Sequence, residues 1–171
     1  IFPEDYQIQL KKLPNKQAVD KRIYPALNRM FKDAKRQGFY LEVTSSYRTN
    51  EEQKEIMAEK VQAFQDQGFS EQEAIETAES WVAVPRTSEH EVGLAVDINA
   101  QSKRSTDEEV YAWLAKNAYK YGFILRYPSD KVEITGVSYE PWHYRYVGKK
   151  AALEIQKASL TLEEYLAENN N

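Results

Sequence analysis

Cysteine is absent from all 171 residues, so this chain can build neither disulfides nor thiolate metal sites. That absence suits an exported bacterial protein that folds without disulfides. No basic run occurs, and Asp plus Glu outnumber Lys plus Arg by 27 to 23, for a net charge of -4. A nucleic-acid groove is therefore not expected, because phosphate binding needs clustered Lys and Arg. No apolar stretch approaches the roughly 20 residues of a membrane span. Repeats, low-complexity linkers and shifts of composition are missing too, so residues 1–171 read as one domain, with 1–15 and 165–171 peripheral. The opening Ile1-Phe2-Pro3-Glu4-Asp5 is neither a signal peptide nor an initiator. It reads as the start of a mature or trimmed form, with any export or anchor segment upstream.

What is present points to an α+β fold, a small antiparallel sheet flanked by helices. Residues 16–37 read as mainly helical, with Pro25 marking a new first turn or a kink and Gly38 closing the segment. Residues 39–44 are β-rich. Three Ser/Thr-x-x-Glu capping boxes announce helices, at Thr49 with Glu52, Ser70 with Glu73 and Thr106 with Glu109. The first two helices flank Gly68 as a hairpin, and Gly122 ends the third. Strand-like stretches fall at 92–98, 123–125 and 142–147, and residues 149–168 read as one or two short helices, with a fraying Glu- and Asn-rich end.

Only two histidines occur, His90 and His143. Taken alone, a histidine is more often a satisfied core residue than a ligand, but each of these has a carboxylate nearby in an apolar or aromatic setting. Asp97 follows Val92-Gly93-Leu94-Ala95-Val96, a run that should be buried. A buried carboxylate needs a cation or strong donors, and a metal ion meets that need. Gly93 can supply the turn or bulge that brings His90 and Asp97 to one ion. Two imidazoles and one carboxylate leave a fourth position open for water, whose pKa such an ion lowers to about 7. Glu140, three residues before His143, is then the natural general base, on a bent approach to a strand because of Pro141. The same ligand types also form the facial triad of non-haem Fe(II) oxygenases. Those usually place the acid two residues after the first histidine, whereas here it stands seven on. Arg48, in a strand-to-helix loop, offers a fixed positive charge for a substrate carboxylate or an oxyanion. Ser45, Tyr47 and Gln53 are its candidate hydrogen-bonding neighbours.

The Ser-x-His-x-x-Gly-x-Ala-x-Asp run at 88–97 and Glu-x-Trp-His-x-Arg at 140–145 resemble signatures of the VanY-type D-alanyl-D-alanine carboxypeptidases. These are zinc enzymes related to VanX and VanXY dipeptidases and to LD-carboxypeptidases. The Tyr47-Arg48 segment with Gln53, and the stretches at 123–128 and 134–136, are similar as well, so the likeness spans about residues 40–148. It implies one zinc ion held by His90, Asp97 and His143, Glu140 as catalytic base, and Arg48 at the scissile carbonyl or terminal carboxylate. Ser88 and Trp142 join Tyr47, Gln53 and Ser45 as implied substrate contacts. The implied fold is the small α+β domain shared with the Hedgehog signalling domain.

The implied activity removes the terminal D-alanine of peptidoglycan stem pentapeptides, with glycopeptide resistance as a possible setting. LD-carboxypeptidase action on tetrapeptide stems, D-Ala-D-Ala dipeptidase action, and a non-catalytic zinc-bearing binding domain stand as alternatives. Glu140 with Arg48 argues against the last, since a binder has no use for a base at the metal. A monomer outside the cytoplasm, secreted or held by an anchor beyond this chain, is expected, with a cytoplasmic location as the alternative.

Overall fold

The computed structural model describes residues 6–169, so expectations for 1–5 and 170–171 lie outside the described residues. Strands β1 (Leu10–Lys12) and β2 (Ala18–Asp20) form an antiparallel hairpin, with Leu10 opposite Asp20. Helix α1 runs from Tyr24 to Arg36 and buries Ala26, Leu27, Met30 and Ala34 along one face. The helix expected from residue 16 thus starts eight residues later. Val19 and its neighbours are taken into the hairpin, and Pro25, which has no N–H to donate, occupies the first turn, where none is needed.

Four further strands make the main sheet: β3 (Leu41–Ser45), β4 (Ala95–Ala100), β5 (Phe123–Leu125) and β6 (His143–Tyr146). Their order is β3-β4-β6-β5, every neighbour antiparallel. Alternation along the strands sends Val96, Ile98 and Tyr144 into the core, where they pack with Ile23, Met30, Leu114 and Phe123. Asp97 and His143, the intervening residues, face the other way.

All three anticipated capping boxes are formed, at the starts of α2 (Asn50–Gln65), α3 (Glu71–Glu79) and α4 (Asp107–Asn117). Helices α2 and α3 make the expected hairpin, whose buried residues are only Gln53, Ala74 and Ala78. A 3-10 turn at Ala118–Tyr121 follows α4 and ends at Gly122. The short α5 (Val132–Thr135) precedes β6, and α6 (Lys149–Ala158) and α7 (Leu162–Asn169) close the chain. Ile124, Ala152 and Ile155 form a second small cluster with Leu162 and Tyr165 partly covering it.

Residues 92–94, expected to open a strand, instead end a 3-10 turn at Glu89–Val92 that has its own capping box, Ser88 with Glu91. Gly93 terminates the turn at φ +66°, in the left-handed region. A Cβ there would stand 2.9 Å from the backbone nitrogen of Asp20, which donates to the Gly93 carbonyl. Glycine is required on both counts.

Candidate metal centre

Strand register assembles the site. A shift in the β3–β4 pairing between Val43 and Ser45 sets Ser45 opposite Asp97, and Asp97 in turn stands opposite His143. Three side chains from three strands therefore lie in a row on the sheet face turned away from the core. The Glu89–Val92 turn folds His90 onto the end of that row. One ligand atom from each of His90, Asp97 and His143 can be chosen so that all lie within 4.8 Å of one another.

The two imidazoles turn different nitrogens toward Asp97. His90 places Nδ1 2.8 Å from the Ser46 carbonyl and Nε2 3.4 Å from Asp97 Oδ1. His143 is turned the other way, with Nδ1 3.1 Å from Asp97 Oδ1 and 3.7 Å from Glu140 Oε2. The rings meet edge-on with centroids 4.9 Å apart. Two imidazole nitrogens and a carboxylate, with the His90 ring oriented by the Ser46 carbonyl, suit a divalent cation with an open coordination position.

Burial would push the Asp97 carboxyl up, but bonds from His143 and His90 outweigh it and hold it well below the carboxylate range. Burial also presses His143 down, yet Asp97 and Glu89 raise it to about 9, so without an ion a proton supplies the positive charge between these groups. Burial lowers His90. Glu140 is raised to about 7, chiefly by burial and against the pull of His143. A carboxyl balanced near neutrality beside a metal triad can take and return a proton.

Arg48 stands in the loop between β3 and α2, as expected. Its guanidinium donates to Ser45 Oγ (2.8 Å from Nη2) and Gln53 Oε1 (3.2 Å), and lies 3.5 Å from Asp97 Oδ2. Gln53 is fully buried and donates onward to the Ala83 carbonyl, tying the end of the hairpin to the arginine. Ser88 is buried, its Oγ accepting from the His90 backbone. A cleft of about 240 Å³ opens over the triad and is walled by Arg48, Glu140, Trp142, Ser88, Lys60 and Trp81. Gln53 lines it too. Ser45 and Tyr47 instead line an adjoining depression that shares Arg48 and Ile56 with the cleft.

Sequence reasoning passed over Glu89, Arg126, Arg145 and Lys60. Glu89 Oε1 accepts from Arg126 Nε at 2.8 Å and lies 3.0 Å from Arg145 Nη1, and its Oε2 lies 3.5 Å from His143 Nε2. The available signal was a charge inside each of the apolar and aromatic stretches around 126 and 145; the polar run around Glu89 gives none.

A family model described as VanY, D-alanyl-D-alanine carboxypeptidase, matches residues 16–149. A D-alanyl-D-alanine carboxypeptidase of Enterococcus faecalis is 54% identical over 165 residues, covering 96% of this chain but 62% of that protein. The chain thus spans less than two thirds of that relative's length. Among solved structures, VanYB in complex with D-Alanine-D-Alanine is 53% identical with a TM-score of 0.96, covering 98% of this chain and 92% of that one. A variant of the vancomycin resistance D,D-pentapeptidase VanY in complex with Zn(II) is 54% identical with a TM-score of 0.94, covering 96% and 92%.

Proposed function

Because the chain belongs to the VanY family of D-alanyl-D-alanine carboxypeptidases, we propose that it is a zinc-dependent carboxypeptidase acting on peptides that end in D-Ala-D-Ala. Its substrates on this reading are the pentapeptide stems of bacterial peptidoglycan, from which it releases the last D-alanine. The observation that carries the proposal is the convergence of His90, Asp97 and His143 beside the near-neutral carboxyl of Glu140.

A zinc ion held by His90, Asp97 and His143 would polarise the scissile carbonyl and acidify a water molecule. Glu140 takes the proton of the attacking water and delivers it to the leaving D-alanine nitrogen. Arg48, steadied by Ser45 and Gln53, faces the cleft with a positive charge where the carbonyl oxygen becomes negative. Ser88, Trp142 and Gln53 line the wall against which the peptide lies, and Tyr47 and Ser45 support it from the adjoining depression.

On this reading the enzyme acts on peptidoglycan outside the cytoplasm, secreted or held by an anchor, with a cytoplasmic location as the alternative. No helix among the described residues is long and apolar enough to cross a membrane. A monomer suffices, since every group named comes from one chain. Glycopeptide resistance is the physiological setting this reading favours, since the relative bound to Zn(II) is a vancomycin resistance enzyme.

The test offers zinc-loaded protein three peptides in parallel and measures released D-alanine by mass spectrometry. Release from the pentapeptide stem supports the proposal. Release from the tetrapeptide stem alone moves the protein to the LD-carboxypeptidases, and cleavage of free D-Ala-D-Ala alone to the dipeptidases. No release from any, with zinc bound, overturns the proposal in favour of a binding domain or a different substrate.

A further inference from the structure

Glu89 lies next to a proposed zinc ligand, has only 11% of its side chain exposed, and splits its two oxygens between different tasks. Oε1 serves both guanidiniums, Arg126 at 2.8 Å and Arg145 at 3.0 Å. Oε2 takes neither. It faces His143 Nε2 at 3.5 Å, and these two are the buried side-chain atoms left without a hydrogen-bond partner among the described residues. Arg126 has no arm left for that second oxygen, because Nη1 and Nη2 form a fork on Glu163, in the first turn of α7, at 2.9 and 2.5 Å. The backbone nitrogen of Arg126 also donates to the carbonyl of His143.

We propose that Glu89 is the positioning residue of the metal centre, and that α7 belongs to that centre through the relay Glu163–Arg126–Glu89–His143. The inference rests on the zinc reading of this site. Facing Glu89, the imidazole would keep a proton on Nε2, which leaves Nδ1, turned toward Asp97 and the cleft, to serve a metal ion. His90 uses the opposite pair of nitrogens, its Nδ1 directed at the Ser46 carbonyl. The 3.5 Å gap exceeds a normal N–H···O distance of about 2.7–3.2 Å, so closing it takes a shift of a few tenths of an ångström. Arg126 and Arg145 pair with Glu89 on one side, and Glu163 fixes Arg126 on the other. The outermost member of the relay lies on the last helix, where its link to the metal is least expected.

Zinc dissociation constants, from competition with a chromogenic chelator, test this in wild type and three glutamine variants, alongside the Tm of each metal-free protein. Removing such an outer partner typically weakens metal binding about 10- to 100-fold, which is the loss expected for Glu89→Gln. Glu163→Gln is expected to weaken binding in the same direction, near the lower end of about 10-fold. Glu164→Gln is the control. Glu164 sits on the same helix and bonds to Lys131 and the Thr161 backbone, so it can lower Tm while leaving zinc affinity unchanged. In zinc-loaded protein, a long-range proton–nitrogen spectrum should show a His143 Nε2 proton that is protected from exchange in wild type and exchanges faster in Glu89→Gln.

Zinc binding by folded Glu89→Gln within twofold of wild type would overturn the proposal. Should that variant fail to fold, Glu163→Gln decides, and equal affinities for Glu163→Gln and Glu164→Gln overturn it. A wild type that binds no zinc sinks the zinc reading itself, which is a separate result.

Discussion

Replacing Gly93 by alanine should damage the fold and the metal centre together. At φ +66° a non-glycine residue pays about 1–2 kcal/mol for the left-handed conformation. The new Cβ would also stand 2.9 Å from the Asp20 nitrogen, so the strand must withdraw and weaken the Asp20 N–H bond to the Gly93 carbonyl, a further 0.5–1.5 kcal/mol or so. A loss of about 2–3 kcal/mol lowers Tm by roughly 4–12 °C in a chain of this size. Gly136→Ala is the matched comparison, because φ is +69° there and nothing lies within 4 Å of a Cβ. It should lose about 1–2 kcal/mol and no more. Calorimetry of both variants in excess chelator isolates the fold from metal binding. Zinc titration then reads the second effect, since the His90 carbonyl accepts from both Gly93 and Arg48 and moves with the turn. Equal Tm shifts and equal zinc affinities for the two variants would refute the reasoning.

Glu140→Gln should retain zinc while its turnover drops about 10²- to 10⁴-fold, the usual worth of a positioned base; metal content and D-alanine release check the two halves, and an active variant removes Glu140 from the mechanism. The pH dependence has a definite sign. Without metal, the raised pKa keeps Glu140 protonated until the pH passes about 7, and a cation in the cleft draws that value down. The acidic limb of kcat/KM should therefore fall below pH 7 in zinc-loaded enzyme, and a limb above 7 would contradict the assignment. Lys60 carries its ammonium over the rings of Trp81 and Phe64, at 5.3 and 5.4 Å, on the wall of the cleft. Its replacement by methionine is expected to raise KM several-fold for an anionic peptide with kcat little changed, as for loss of uniform binding, and steady-state kinetics separate the two.

Legibility followed the range of the interaction. The three capping boxes were readable because donor and acceptor sit three residues apart, and all three helices begin where they were placed. Phe123–Leu125 was readable as a short β-rich run before its arginine. Asp97 stood out as a carboxylate ending an apolar run, and Glu140 as an acid one turn before a histidine. Residues 18–20 were misread as helix because nothing local marks them as strand; their partners at 10–12 are exposed and show no alternation. Residues 92–94 were read as the start of a strand because valine favours one, whereas Val92 closes the turn and the left-handed Gly93 ends it. Glu89 escaped notice because its partners stand 37 residues or more further along the chain.

The row of Ser45, Asp97 and His143 across three strands also sets an order of events. Its bonds join residues about fifty positions apart: Asp97 to His143 across 46, Arg48 to Asp97 across 49. Long loops must close before such pairings can form, and they form slowly. An unfolded chain therefore offers an ion His90 and Asp97 at best, and the third ligand arrives only when β6 docks on β4. Zinc should consequently bind the folded state almost alone and stabilise it by mass action, about 2.7 kcal/mol at a hundred times its Kd. The nascent chain then lacks its complete metal site until its sheet is closed.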